Sequence, residues 1–437
     1  MSQNSRGLSL FALTMIAIGS TIGSGIFKTP TDIASAVPNP IEMTGLWILG
    51  GVISLFGALV FAELGSRFPQ SGGLYTYLNK SYGSLPAFLY GWCLLAVVSS
   101  GTIAALIIVF ADYMQKIIGF SDDMKAPFAA ISIVVLTLFN TFGIRSSEWF
   151  ANVSTILKII GIYGLLILAL LLGERDAFAA TEALVLDPAD DGGPNYAGAF
   201  VGVLWSYTGW HYASFVAGDA KNPKRNVPLA MLFGTVVVTL SYVLCNIGYL
   251  RTLDVSTIQS SKTVAADALE TVIPGSGIAV SILIAISVFG CAGLYILATP
   301  RIIKQMSAEG LFFKAFAKDH EKTGVPLNAI VLQSAWAIVL IYMWNGFEDL
   351  YTYVTITEWF FLLATCAAIF LVRSKKNSTE SSGFKSPLYP ILPIIFCTVV
   401  AWFIYMNAES KNPAAYFGLL VIPIGAVVFL IFRRIQK

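Results

Sequence analysis

Twelve runs of about twenty mostly apolar residues dominate the chain, at roughly 8–36, 44–68, 84–115, 127–144, 147–172, 196–217, 227–250, 276–305, 327–345, 350–373, 387–407 and 413–434. A helix of about twenty residues is roughly 30 Å long, the thickness of a bilayer's hydrocarbon core. Runs of this kind predict an all-α membrane protein with twelve transmembrane helices. Composition agrees: 56% of residues are hydrophobic, 12% are charged and the mean hydropathy is +0.75, against about 25% charged in ordinary soluble domains. Soluble enzymes, extended disorder and nucleic-acid modules are excluded. A formal net charge of +2 gives no reason to expect a polyanionic partner. Two histidines, His211 and His320, and five scattered cysteines inside apolar runs suggest no metal site, cofactor or disulfide framework. No short cleavable leader stands apart from the first run.

An even number of spans places both termini on one side. Alternation then gives that side 19 of the 27 Lys and Arg residues and the other side six, with Lys28 and Lys158 inside spans. Basic residues concentrate on the cytoplasmic side, so both termini are expected there. The loop 173–195 carries Glu174, Asp176, Glu182, Asp187, Asp190 and Asp191 against Arg175, as an outside loop would.

Two spans are interrupted near their middles. The first contains Gly19-Ser20-Thr21-Ile22-Gly23-Ser24-Gly25, and the sixth contains Trp205-Ser206-Tyr207-Thr208-Gly209-Trp210. Irregular backbone is tolerated at membrane depth only where protein or a wet cavity satisfies its polar groups. Spans five apart cross in opposite directions, so the two breaks suggest an inverted 5+5 repeat with a site near the midplane. A half-helix starting near Gly25 offers N–H groups to an anion, and unwound carbonyls face a cation. A zwitterionic amino acid suits that pair of ends. Taken alone, Gly19-x-x-x-Gly23 reads also as a helix-dimer contact.

Lys158 lies about eleven residues into the fifth span, roughly 16 Å along the helix. That is too deep for easy snorkelling. Glu148, Asn152, Thr155 and Lys158 share one helical face, which should point into the bundle. Two readings stay open for the lysine: a cap on carbonyls of a broken helix, or a fixed cation in place of a transported sodium ion. Glu358 in the tenth span faces either a cavity or the outer surface. His211, beside the second break, is either a proton carrier or a hydrogen-bond partner of a helix end.

Several motifs carry a resemblance. Gly23-Ser24-Gly25-Ile26-Phe27, Phe61-Ala62-Glu63-Leu64-Gly65, and Pro69-x-Ser71-Gly72-Gly73-x-Tyr75-x-Tyr77 resemble signatures of the amino acid–polyamine–organocation superfamily. Ser206-Tyr207-Thr208-Gly209-Trp210, Gly218-Asp219-x-x-Asn222-Pro223-x-Arg225-Asn226-x-Pro228, Phe289-Gly290-Cys291-Ala292 and Pro300-Arg301 extend it to the L-amino acid transporter branch, nearest to bacterial exchangers of small neutral amino acids.

The resemblance implies a LeuT-like fold, with inverted repeats at 8–172 and 196–373 and added helices at 387–434. The carboxylate of a small neutral L-amino acid would meet Thr21, Ser24 and Gly25, with Gly23 in the same break. Its ammonium would meet carbonyls of Thr21, Trp205 and Thr208, with Ser206 counted among the binding residues. Trp205 would close over the substrate as a gate, and Lys158 would occupy the sodium position. Ala292-Gly293-Leu294 departs from the Asn-Gly of many relatives, so side-chain specificity does not transfer from that helix. The expected function is sodium-independent exchange of small neutral amino acids across the plasma membrane by alternating access. The bilayer is the only other partner expected, with no obligatory protein partner. Uniport, proton symport and a non-transporting sensor remain the alternatives. A channel lacks filter motifs, and an enzyme lacks a nucleophile–base pair.

Overall fold

The computed structural model describes residues 7–141, 144–178, 193–344, 346–374, 383–410 and 412–435, with side chains from 156 onward in the fifth run. The described residues are helical apart from loops and one isolated parallel bridge between Leu8 and Ala220. Nine helical stretches among them are long and apolar enough to cross a membrane, and the shorter apolar helices Ile156–Leu172 and Leu327–Met343 lie among them. The protein is a multi-pass membrane protein. Of the acidic loop, Glu182, Asp187, Asp190 and Asp191 lie outside the described residues, as do the side chains of Glu148, Asn152 and Thr155.

The first run is split into α1 (Leu10–Thr21) and α2 (Gly25–Ala36). Helix α3 (Pro40–Arg67) starts cleanly. Asn39 caps it by accepting from the Ile41 and Glu42 amides, with Pro40 at the first position and Glu42 in the first turn. Helix α4 (Gly73–Tyr82) leads into α5 (Ser84–Cys93), which continues through a π-helical stretch, Leu94–Ser99, into α6 (Ser100–Ile118). Such a stretch displaces backbone groups from their usual partners. The Ala96 carbonyl is satisfied from outside the helix, accepting from Trp336 Nε1 at 2.7 Å and the Tyr353 hydroxyl at 3.0 Å. Helices α7 (Lys125–Thr141) and α8 (Ile144–Leu172) complete the first half.

In the second half, α9 (Tyr196–Tyr207) breaks at Thr208-Gly209 and continues as a 3-10 segment, Trp210–Asp219. Helix α10 (Pro223–Thr252) follows, then the short α11 (Val255–Ser260) and α12 (Val264–Val272). Helices α13 (Gly277–Ala298), α14 (Pro300–Ala308), α15 (Leu327–Met343), α16 (Phe347–Ser374), α17 (Ile391–Glu409) and α18 (Pro413–Ile435) complete the chain. Helix α1 packs on α10, α2 on α9 and α16 on α9, while α6 and α13 pack on each other and face the gap between the broken helices. Peripheral helices turn large apolar side chains outward, among them Ile131 and Leu138 on α7 and Leu420, Val427 and Ile431 on α18. In a membrane that face meets lipid rather than water.

Charged groups gather at the two ends of the bundle. At one end, the buried Glu63 carboxylate accepts from Arg67 at 2.8 Å, from Arg373 at 2.5 Å and from the Ser386 amide at 2.8 Å, tying α3 to α16 and the segment before α17. Nearby, the Leu8 amide donates to Asp219 O and the Lys221 amide to Leu8 O, fastening the chain start to the end of the 3-10 segment. At the other end, Asp112 pairs with Lys28 and Lys125, while the Thr31 hydroxyl donates to Ser261 O and Gln259 Nε2 to Ala34 O. These contacts hold α11 and the loop to α12 across the outer part of α2.

Candidate functional site

Helix α1 ends because Ile22 leaves helical conformation, with φ −74° and ψ 88°, and α2 restarts at Gly25 after Ser24. A helix end leaves backbone groups without intrahelical partners, and each is costly at membrane depth. Here side chains from three other helices supply partners. Lys158 of α8, 2% exposed, donates through Nζ to the Gly19 carbonyl at 2.9 Å. Tyr242 of α10 donates to Thr21 O at 3.0 Å, Tyr249 to Ile26 O at 3.2 Å, and Tyr113 of α6 to Phe27 O at 3.2 Å. The Gly23 amide turns back to Thr21 O at 2.8 Å.

The second break touches the first. Thr208 is extended (ψ 134°) and Gly209 has φ 132°, a region that side-chain-bearing residues avoid. A Cβ there would stand 2.5 Å from Ser20 O. Ser20 Oγ lies 2.6 Å from Ile16 O one turn back in its own helix and 3.0 Å from the Gly209 carbonyl across the gap, either of which can accept its proton. Trp359 of α16 holds the same break by donating Nε1 to Thr208 Oγ1 at 3.0 Å.

Between the breaks lies a small cavity in which the centre of a water-sized sphere has about 20 Å³ to move, room for about one water molecule in this conformation. Six of the seven substrate-binding candidates line it: Thr21, Gly23, Ser24, Gly25, Trp205 and Thr208. The buried Ser24 hydroxyl has no partner within the protein. Trp205 stands against Phe347 and Tyr351, each ring centroid 6.1 Å away, forming an aromatic cover. Lys158 touches the break rather than the cavity wall.

Ser206 is placed differently from the other six. It is not among the lining residues; its hydroxyl donates to Gly202 O at 2.8 Å and lies 2.9 Å from Thr29 Oγ1. It forms the joint where α9 meets α2 instead. One position along a helix turns a side chain by about 100°, so Trp205 and Ser206 cannot share a direction.

Sequence reasoning missed Thr102 and Leu106 of α6 and Cys291 and Tyr295 of α13, which supply the wall away from the breaks. Cys291 was readable only as a small apolar residue. Of the ambiguous charges, Glu358 lines the cavity, 2% exposed, and His211 is fully buried with Nε2 3.2 Å from Glu358 Oε1. That pair is not aligned as a hydrogen bond. No cluster of three metal-ligating side chains occurs among the described residues.

Paired half-helices around a buried cavity, inside a shell of apolar helices, are an arrangement that suits a membrane carrier for a small charged or zwitterionic solute. Sequence comparison gives the family. Residues 8–429 match the amino acid permease family, and the chain belongs to it, within the amino acid–polyamine–organocation superfamily. It is 30% identical over 390 residues to the serine/threonine exchanger SteT of Bacillus subtilis (strain 168), covering 88% of this chain and 87% of that protein. It is 26% identical over 443 residues to the human cystine/glutamate transporter, covering 98% and 86%. The mouse b(0,+)-type amino acid transporter 1 is 28% identical over 431 residues, covering 95% and 86%.

Two neighbouring glycines test this geometry differently. A Cβ on Gly25 would meet Ser206 Oγ at 2.4 Å and Cα at 2.6 Å, whereas one on Gly23 would meet only Leu106 at 3.7 Å and Cys291 at 4.0 Å. Gly25→Ala should therefore force α2 from α9 and lower the melting temperature by several degrees. Gly23→Ala should melt as wild type yet bind amino acid more weakly, because its methyl enters the cavity. Melting curves with and without amino acid check both; equal stability of the two variants would contradict the packing.

Proposed function

We propose that the protein is a sodium-independent antiporter that exchanges small neutral L-amino acids across the plasma membrane by alternating access. In this reading twelve helices cross the bilayer with both termini cytoplasmic, 8–172 and 196–373 form the inverted repeat, and 387–434 adds two helices. One observation carries it: two mutually touching helix breaks enclose a small cavity while a buried lysine holds the carbonyl of Gly19. The first amides of α2 and the free Ser24 hydroxyl suit a carboxylate. Carbonyls at Thr21, Trp205 and Thr208 suit an ammonium. Lys158 places its amino group beside the break, the position a transported sodium ion would otherwise fill. The relatives named above include an exchanger, which supports the antiport part of the reading.

Alternating access needs the substrate to bind conformers unequally. A zwitterion held by both breaks favours the arrangement in which α2 and α9 close together, and the empty carrier returns slowly without it. Exchange is then faster than net uptake. Proteoliposomes preloaded with alanine or serine should take up labelled amino acid without sodium, far faster than empty vesicles. Equal uptake into empty vesicles would point to uniport, strict dependence on an ion gradient to symport, and binding without uptake to a sensor.

Substrate size follows from the cover. Trp205, backed by Phe347 and Tyr351, leaves little height above the cavity. Alanine, serine, cysteine and threonine should outcompete leucine and phenylalanine, and Trp205→Ala should widen the accepted range or abolish closure. A wild-type preference for phenylalanine over alanine would reject this pocket.

Lys158→Ala should slow exchange at least tenfold per folded monomer while the size-exclusion profile and melting temperature stay near wild type. Leaving the buried Gly19 carbonyl without its donor costs about 1–3 kcal/mol, enough to disturb conformers that differ by a few kcal/mol. Near-wild-type exchange by this variant would remove the lysine from the mechanism.

A further inference from the structure

We propose that His211 and Glu358 together form a binding site for one proton at the substrate cavity, and that occlusion requires this proton. The inference rests on the exchanger reading above. Glu358 lines the cavity and His211 lies behind it on the 3-10 segment, just past the second break. Glu358 Oε1 and both His211 ring nitrogens lack hydrogen-bond partners, yet Oε1 and Nε2 are 3.2 Å apart, a distance at which a small ring rotation lets them share a proton.

Among the described residues, no charged side chain other than His211 is paired with Glu358. Tyr90 of α5, Tyr212 beside the histidine and Tyr295 of α13 face the carboxylate, Cys291 lines the same cavity, and Tyr77 of α4 packs on Phe61, whose ring adjoins His211. All of these are neutral groups. Lys158 donates to Gly19 O and forms no ion pair with the carboxylate. Arg373, fifteen residues along α16, is about 22 Å away at the helical rise and is held by Glu63. Among the described residues His211 is the basic group paired with Glu358.

Burying a net charge at membrane depth is costly. The pair is neutral overall only with one proton, held either by the carboxyl group or by the imidazole of an imidazolium–carboxylate pair. Without it the pair carries −1; with two it carries +1. When the cavity is open to water the proton exchanges freely. When α2 and α9 close over a substrate, the singly protonated form is the one that closes at least cost. Because Glu358 and His211 stand on α16 and on the segment following α9, the proton links a scaffold helix to a moving one.

The test is counterflow of labelled alanine with equal pH inside and outside the vesicles, from pH 5.5 to 9.5. In the wild type the rate should fall about tenfold per pH unit above a transition. E358Q, whose amide is neutral throughout, should show no such fall, whatever its absolute rate. H211Q leaves Glu358 to hold the proton without its partner, so its fall should begin at lower pH than in the wild type. Size-exclusion profiles report folding of each variant, and H211Q carries the test if E358Q does not fold. Active counterflow with a flat wild-type profile, or an alkaline fall unchanged in E358Q or H211Q, would overturn the proton site while leaving exchange intact. Absence of counterflow in the wild type would instead reject the exchanger reading.

Discussion

The structure depends on satisfying backbone groups where two helices stop in the middle of a membrane. An open helix end in hydrocarbon exposes groups that water would otherwise solvate. Four long side chains from outside the broken helix answer that demand at the first break: Lys158, Tyr242, Tyr249 and Tyr113. Each comes from a helix of the surrounding shell. The breaks are therefore held in place by the scaffold, and their remaining unpaired groups are available to a ligand rather than to one another.

This arrangement explains why the cavity is polar where the breaks meet and mixed elsewhere. Thr21, Ser24 and Thr208 lie at the ends of half-helices, while Leu106 and Cys291 come from continuous ones. A zwitterion brings one carboxylate and one ammonium, so it completes both ends at once. The close approach that makes this possible is steric. Gly25 lets α2 touch Ser206, and Gly209 lets the second break rest on Ser20. Because the backbone at Gly209 lies directly against Ser20, a movement of either break is felt by the other.

Much of this was legible in the sequence because membrane chains have few ways to hide polar residues. Three glycines and three hydroxyls within seven residues, a lysine about 16 Å into a span, and a second break five spans later each conflict with an ordinary lipid-facing helix. The opposite wall gave no such signal. Thr102, Leu106, Cys291 and Tyr295 sit on helices buried on most sides, where an apolar residue facing a cavity looks like one facing a neighbour. Ser206 shows the limit at a break itself. Composition locates the interruption, but the direction of each side chain depends on the last helical turn, and one residue separates the cover Trp205 from the joint at Ser206.

Glu358 and His211 show how burial changes what a residue means. In sequence, a glutamate in the tenth span had two placements and a histidine beside a break had two roles. Packing brings the two within 3.2 Å of each other among tyrosines. Glu358 has a titratable side chain, His211, as its neighbour, whereas Lys158 donates to a backbone carbonyl. The two buried charges are thus handled differently. One is permanently anchored to the first break, and the other depends on the state of a neighbour attached to the second.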